Sequence, residues 1–250
     1  MARSPSDGVR GRLAAEARAL EPLLRTVALA TVVGVVLGVL IGGVGGRLAM
    51  RALFLSSEPG VRGLVSDDGF TIGEFNAGAT ASLCLAGAFF GLVGALVYLA
   101  VRRFLIGPRW LRVLGCGGAA GVVVGAGLVH RDGVDFTRLG PAWFGIALFV
   151  AIPAVFGLVA PLAIEWADQP GGRFHRAPAA LALLPLLLWV APPLPLLLLL
   201  IVTANRVGRA SRELAARLRH PVAMWAARGG WLAIVAFGAA DLVLDARALI

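Results

Sequence analysis

The stretch from Leu23 to Gly46 has the sequence LLRTVALATVVGVVLGVLIGGVGG. After Arg25, near its start, it contains no charged residue, and almost every position is Val, Leu, Ile, Ala or Gly. An α-helix rises about 1.5 Å per residue, so about 20 such residues cross the roughly 30 Å hydrocarbon core of a bilayer. The stretch therefore predicts a transmembrane helix, with lipid as the solvent for this part of the chain.

Five further apolar runs follow the first one. The chain of 250 residues is 59% hydrophobic and only 15% charged, whereas soluble domains carry about 25% charged residues. We therefore expect an all-α fold, a polytopic transmembrane helical bundle with about five or six spans. The predicted runs are 23–46, 77–101, 110–129, 141–164, 178–202 and about 224–246.

The basic residues orient this bundle. All 23 are Arg, the net charge is +9, and they lie in short clusters between apolar runs, which is typical of membrane proteins and not of a nucleic-acid interface. The N-terminal segment (1–22) and the 102–112 loop are rich in Arg and are predicted to be cytoplasmic. The loops at 47–76 and 130–140 are then outside. The Arg-rich, Lys-free composition favours a bacterial cytoplasmic membrane, and no nucleic-acid partner is expected.

Two alternatives stand for the N-terminal segment. Residues 12–20 form either a short basic amphipathic helix on the inner leaflet or part of a disordered tail. Residues 23–168 hold the first four spans, and residues 169–250 form a C-terminal membrane region with a basic segment at 206–228.

The fifth apolar run, 178–202, is interrupted by Pro192, Pro193 and Pro195. Proline removes a backbone donor and breaks a helix, so this run is either one kinked span or a re-entrant hairpin of two half-helices, 179–191 and 194–205. A single span distributes the Arg residues as 12 inside and 11 outside, whereas a hairpin gives 17 inside and 6 outside. The hairpin therefore agrees better with the positive-inside rule.

Two stretches of the chain resemble each other. Asp68-Gly69 precedes a Phe-Gly-Leu-Val sequence at 90–93, and Asp132-Gly133 precedes the same sequence at 156–159. Each Asp-Gly pair also follows a glycine-rich span. Spans 1–2 and 3–4 are therefore predicted to be a parallel repeat of one helical hairpin.

Glycines recur every four residues in two of the predicted spans. Small residues at this spacing clear one helix face and let backbones approach closely, so we expect tight packing of spans 1, 2 and 3. A glycine-lined pore or a homo-oligomer contact is the alternative. The residues assigned to helix packing are Gly34, Gly38, Gly42, Gly46, Gly117, Gly121 and Gly125, with Gly87 and Gly91 in span 2.

The predicted outer loops hold most of the other polar candidates. Carboxylates with one His could bind a divalent cation, but Asp-Gly pairs also form turns and nearby Arg residues neutralise acids, so no metal site is assigned. Arg47 and Arg51 lie four residues apart where span 1 leaves the hydrocarbon. Asp241 is either an interface residue paired with Arg247 or a buried functional carboxylate. The outer-face residues are Asp67, Asp68, Glu74, His130, Asp132 and Asp135.

No catalytic motif is apparent in the sequence. The three His residues are scattered, no catalytic residue or cofactor is assigned, and an enzyme is the least favoured class. Cys84 and Cys116 are predicted to lie near opposite leaflets, too far apart for a disulfide.

The stretch from Gly42 to Asp168 resembles uncharacterised multi-pass membrane proteins of high-GC, actinobacteria-like bacteria. The resemblance is carried by Gly-Gly-Arg-Leu-Ala-Met-Arg at 45–51, Ser-Asp-Asp-Gly-Phe at 66–70 and Asp-Gly-Val-Asp-Phe at 132–136. It implies a membrane fold and location but no activity.

Two functional hypotheses follow. The first is a non-catalytic membrane component, a scaffold or subunit, which contacts the lipid bilayer and a membrane-protein partner or another copy of itself. The second is a passive channel or carrier for a small or lipidic solute, with the Pro-rich run as its gate.

Overall fold

The computed structural model describes residues 5–61, 63, 65, 76–169, 171–190 and 221–250, with the side chains of residues 5–17, 134, 135, 173, 175, 189, 190 and 223 left out. The described elements are helices, as the all-α prediction requires. They are α1 (Pro5–Leu37), a π-helical segment (Gly38–Val44), α2 (Gly45–Leu55), α3 (Ala77–Val101), α4 (Arg109–Leu128), α5 (Val134–Thr137), α6 (Ala142–Ala167), α7 (Arg173–Arg176), α8 (Ala179–Leu183) and α9 (Pro221–Leu249), with 3₁₀ turns at Pro59–Val61 and Leu184–Val190.

The first helix is longer than predicted at both ends. α1, the π-helical segment and α2 follow one another without a break, so the helix continues past Gly46 to Leu55. Residues 12–20 belong to α1, so this stretch is helical, as one of the two alternatives expects, and it continues directly into the first span. The predicted end at Gly46 is too early, because the apolar pattern stops at Arg47 whereas backbone hydrogen bonding continues through a stretch of good helix formers.

Four helical stretches in the described part of the chain are long and apolar enough to cross a membrane: Arg18–Leu55, Ala77–Val101, Arg109–Leu128 and Ala142–Ala167. The last three agree with the predicted spans within a few residues. α9 corresponds to the sixth predicted run, and its 29 residues have a length of about 43 Å. Only the first part of the fifth run, through Val190, is described, so neither the hairpin nor the kinked span can be compared with it.

Local sequence signals set where these helices start. Asn76 caps α3: its side-chain oxygen accepts hydrogen bonds from the backbone N–H groups of Gly78 and Ala79, at 2.8 and 3.2 Å. Pro108 and Pro141 immediately precede α4 and α6, positions where a missing N–H costs no helical hydrogen bond. Gly140, just before Pro141, has a φ of +55° that other residues rarely adopt.

The chain forms two compact units, one of Met1–Val32 and Ile164–His220 and the other of Val33–Ala163 and Pro221–Ile250. In the described part of the first unit, Arg25 makes several polar contacts. Its guanidinium pairs with Glu21 at 2.9 Å and donates a hydrogen bond to the carbonyl of Ala177 at 3.0 Å. The Arg25 side chain therefore connects α1 to the end of α7 by hydrogen bonding. Ala28 and Thr31 are fully buried in this unit.

The second unit contains most of the apolar helices. α3 runs antiparallel to the preceding helix, because Gly34 lies against Gly91 and Gly43 against Cys84. α6 likewise runs antiparallel to α4, with Gly117 beside Leu158 and Gly125 beside Val150. Both pairs are therefore helical hairpins.

Further contacts join the hairpins at one end. Leu53, Val61 and Leu139 form a buried cluster, and Gly140 packs against Leu53 and Ser56. This cluster places the end of α2 beside the loop that precedes α6. We call this end of the second unit the α6-start end.

α9 runs alongside α4 in the same direction. Near its start, Arg228 donates a hydrogen bond through Nε to the carbonyl of Phe104, just before α4, at 3.2 Å. Near its end, Asp245 pairs with Arg131, just after α4, at 3.1 Å. Between these points, Gly238 packs against Val123. α9 therefore ends at the α6-start end.

Candidate functional site

The first glycine crossing joins α1 and the π-helical segment to α3. A methyl group on Gly34 would lie 2.6 Å from the carbonyl oxygen of Gly91, and one on Gly91 would lie 2.6 Å from the Cα atom of Gly38. A methyl group on Gly38 or Gly87 would overlap the backbone of the other glycine. The two backbones are therefore in direct contact, and only glycine fits at these four positions.

The π-helical segment adds a glycine to the first glycine crossing that the four-residue spacing does not include. Gly45 donates its N–H to the carbonyl of Leu40, five residues earlier, which is the hydrogen bond of a π-helix. The wider turn brings Gly43 to the crossing as well, where an added methyl group would lie 2.8 Å from the Cα atom of Cys84. Gly42 lies nearby, with a Cβ position 3.1 Å from Gly87 Cα, while Gly46 faces the Leu83 side chain.

The second glycine crossing joins α4 to α6. Added methyl groups on Gly117, Gly121 and Gly125 would lie 2.5 Å from Leu158, 3.0 Å from Ala154 and 2.9 Å from Val150, respectively. Gly157 of α6 lies at the same crossing, where an added methyl group would be 2.7 Å from the carbonyl oxygen of Cys116.

These contacts correct one expectation. The sequence suggested that the glycine faces pack spans 1, 2 and 3 together, but Gly117, Gly121 and Gly125 of α4 face α6 and not α1 or α3. Glycine spacing identifies the face that is cleared, but the partner helix depends on the tertiary fold. The crossings also leave no space for a methyl group, so neither crossing encloses a glycine-lined pore.

The candidate outer-face acids are only partly described. Asp67, Asp68 and Glu74 lie outside the described residues, as does the side chain of Asp135. His130 is exposed, with its Nδ1 atom 3.0 Å from the Leu128 carbonyl oxygen and its ring edge-on to Phe136. Asp132 is exposed as well. No group of three His, Cys, Asp or Glu side chains arranged to hold a metal ion occurs in the described part of the chain.

The remaining polar candidates lie on α2 and near the end of α9. Arg51 is exposed and stacks over the Phe54 ring at 5.3 Å, whereas Arg47 is half-buried. Asp241 is exposed, and no ion pair between it and Arg247 occurs among the described residues, since six helical residues place the two side chains about 120° apart around the axis. The acid that does form an ion pair is Asp245, with Arg131.

A cleft of about 510 Å³ lies between α4 and α9. Its walls are apolar or small, apart from the carboxylate of Asp241 at one end. Phe237, in the cleft, is 76% exposed, and Gly127 has open space where a side chain would project. The lining residues are Val123, Ala126, Gly127, Ala233, Ile234, Phe237, Gly238 and Asp241.

Sequence reasoning singled out Asp241 but missed the other members of this cleft. Ala, Gly and Ile residues in an apolar run carry no signal of a binding site, because the same residues serve as lipid-facing or packing positions. Both cysteines are free thiols, with Cys116 buried.

Comparisons of the chain with protein-family models, with curated proteins and with solved structures gave no match.

Proposed function

We propose that the protein is an integral membrane protein of a bacterial cytoplasmic membrane, with its N-terminus in the cytoplasm. The long apolar helices support a membrane location, and the distribution of Arg supports the orientation. In this orientation the α6-start end faces outward, and the 102–112 loop faces the cytoplasm.

The direction of α9 supports one of the two alternatives for the fifth apolar run, 178–202. α6 ends at the side where α4 starts, since the two are antiparallel, and α9 begins on that same side, since it is parallel to α4. The chain thus leaves α6 and enters α9 on the cytoplasmic side. This arrangement favours the re-entrant alternative, with 17 Arg inside and 6 outside, although residues 191–220 lie outside the described part.

The hairpin duplication remains part of this proposal. Phe90-Gly91 and Phe156-Gly157 each place their glycine at a crossing, Gly91 against Gly38 and Gly157 against Gly117. Equivalent sequence positions therefore make equivalent contacts in the two hairpins, which supports a parallel repeat.

Within the membrane, the protein acts as a non-catalytic component, a scaffold or subunit that holds a transmembrane helix of a partner protein. The observation that carries this role is the cleft between α4 and α9. Small residues line it, which allows close approach of a helix, and the ring of Phe237 offers an exposed anchor. Gly230, one turn before Ile234 on the same α9 face, also has open space around it.

The negative charge of Asp241 indicates which charge the partner helix carries. No ion pair of Asp241 occurs among the described residues, whereas Asp245 is held by Arg131. An ionisable group facing an apolar cleft near the membrane is costly without a counterpart. The proposed partner helix therefore carries Arg or Lys near the outer end of its span.

The test is mass spectrometry of the complex extracted from native membranes in lipid particles. We expect one partner protein at a fixed stoichiometry, lost in a variant with Gly230→Leu and Asp241→Asn and retained in the matched Gly118→Leu variant. Extraction of the chain with no protein partner, from membranes that express it at its natural level, would exclude the scaffold role.

The alternative function, a passive carrier for a lipidic solute, is favoured by the same cleft, since its apolar lining also suits an acyl chain. Solute flux into liposomes that contain only this protein, abolished by Phe237→Trp, would support the carrier. Absence of flux together with a stoichiometric partner would support the scaffold.

A further inference from the structure

The cytoplasmic ends of α4 and α9 carry an unusual concentration of guanidinium groups. Within residues 102–112 there are four Arg and no acid, and Arg228 is added from α9 by its hydrogen bond to Phe104. We call Arg102, Arg103, Arg109, Arg112 and Arg228 the arginine rim.

Two of these Arg residues lie at nearly the same depth. Gly238 of α9 packs against Val123 of α4, and the two helices run in parallel. Arg112 is eleven residues before Val123, about 16 Å, and Arg228 is ten residues before Gly238, about 15 Å. The rim therefore combines residues of α4, of α9 and of the loop before α4, although α4 and α9 are far apart in sequence.

Aromatic rings accompany the rim. The Arg228 guanidinium lies 5.0 Å from the centre of the Trp225 ring, and that of Arg103 lies 4.5 Å from the Phe104 ring. Trp225 and Trp110 are each 63% exposed. Exposed Trp beside Arg is typical of the boundary between hydrocarbon and lipid headgroups.

One donor in the rim lacks an acceptor. The Nε atom of Arg112 is buried, and no described residue accepts a hydrogen bond from it. Burying a hydrogen-bond donor without an acceptor costs free energy. An anionic oxygen would be a strong acceptor for this donor.

We propose that the arginine rim binds the phosphate of an anionic phospholipid headgroup, with Arg112 and Arg228 as its principal ligands. Arg suits this role because its planar fork donates to two phosphate oxygens at once and stays charged. The exposed Trp rings and apolar helices favour a lipid over a free phosphate ion. The proposal is independent of the partner helix, whose cleft lies nearer the outer end of α4 and α9.

The experiment uses the purified full chain in neutral detergent. Phosphatidylglycerol, phosphatidylcholine with the same acyl chains, and inorganic phosphate are added separately, and retained adducts and thermal stability are measured. We expect phosphatidylglycerol to be retained and to raise the melting temperature, with little effect of the other two. The Arg112→Gln/Arg228→Gln variant should lose affinity for phosphatidylglycerol on the order of tenfold or more.

The matched control is Arg51→Gln/Arg138→Gln, which removes the same charge from the α6-start end and should retain phosphatidylglycerol as the unmodified chain does. Equal retention of phosphatidylcholine, an equal effect of inorganic phosphate alone, or an equal loss in the control would each overturn the proposal. If the rim variant does not fold, Arg112→Gln alone is measured, and unchanged phosphatidylglycerol affinity in it would overturn the proposal as well.

Discussion

Gly38 and Gly118 are both glycines in the middle of long apolar helical stretches, but their surroundings differ. The backbone of α3 occupies the space that a side chain on Gly38 would need, whereas nothing lies within 4 Å of that position on Gly118. Glycine lowers helix stability relative to Ala wherever no contact requires it. The same substitution at the two sites therefore has opposite consequences.

We predict that Gly38→Ala lowers the free energy of unfolding in detergent by about 1–3 kcal/mol, because the added methyl group separates two packed backbones. Gly118→Ala is the matched control and should raise it by up to about 1 kcal/mol. Thermal or denaturant unfolding of the two variants measures both values. Equal effects of the same sign at the two positions would contradict the first glycine crossing.

At the scale of elements, the π-helical segment and α9 show how packing depends on helix geometry. A four-residue glycine repeat in a regular α-helix drifts slowly around the axis, and the wider π turn changes this drift so that Gly43 joins Gly38 at the crossing. For α9, contacts at both ends and in the middle fix a parallel alignment with α4.

This alignment can be tested by cross-linking. In a chain with Cys84→Ala and Cys116→Ala, the pair Val123→Cys and Gly238→Cys should form a disulfide on mild oxidation, because the Cβ position of residue 238 is 3.3 Å from the Cα atom of residue 123. The control pair, Val123→Cys with Gly229→Cys, is separated by about 13 Å more along α9 and should not cross-link. Cross-linking of the control pair alone would show that α9 is aligned differently.

At the scale of the whole molecule, the packing of the second unit sets the relative sides of its loops. The end of α2, the loop before α6 and the end of α9 share the α6-start end, while the start of α4 lies at the other. The absolute side is the orientation predicted from the Arg counts along the sequence, with the N-terminal segment and the 102–112 loop in the cytoplasm.

We predict that a membrane-impermeant thiol reagent, added outside cells, labels Glu58→Cys and Ile250→Cys but not Arg109→Cys. Each is introduced singly into the chain without native cysteines, and labelling after membrane disruption shows that every site can react. Labelling of residues 109 and 250 from the same side would be incompatible with a parallel α9.

The local features of this protein were largely predictable. The bounds of α3, α4 and α6 follow from apolar length, a capping Asn and two prolines, all of which lie within or beside the helix that they define. The cleared faces at Gly34, Gly38 and Gly117 follow from spacing alone. The end of the first helix does not follow from the sequence pattern, because helical hydrogen bonding continues beyond the last residue of the hydrophobic pattern.

The sequence by itself determined that the chain is built of long apolar helices, where most of them begin and end, and which faces are cleared of side chains. Only the tertiary structure decided that α4 pairs with α6, that Gly43 joins the first crossing, and that Arg228 reaches Phe104. The physical reason is that hydropathy, capping and spacing act within about 20 neighbouring residues. Helix pairing depends on the fit between surfaces far apart in the chain, and an apolar solvent gives all their apolar faces nearly the same free energy.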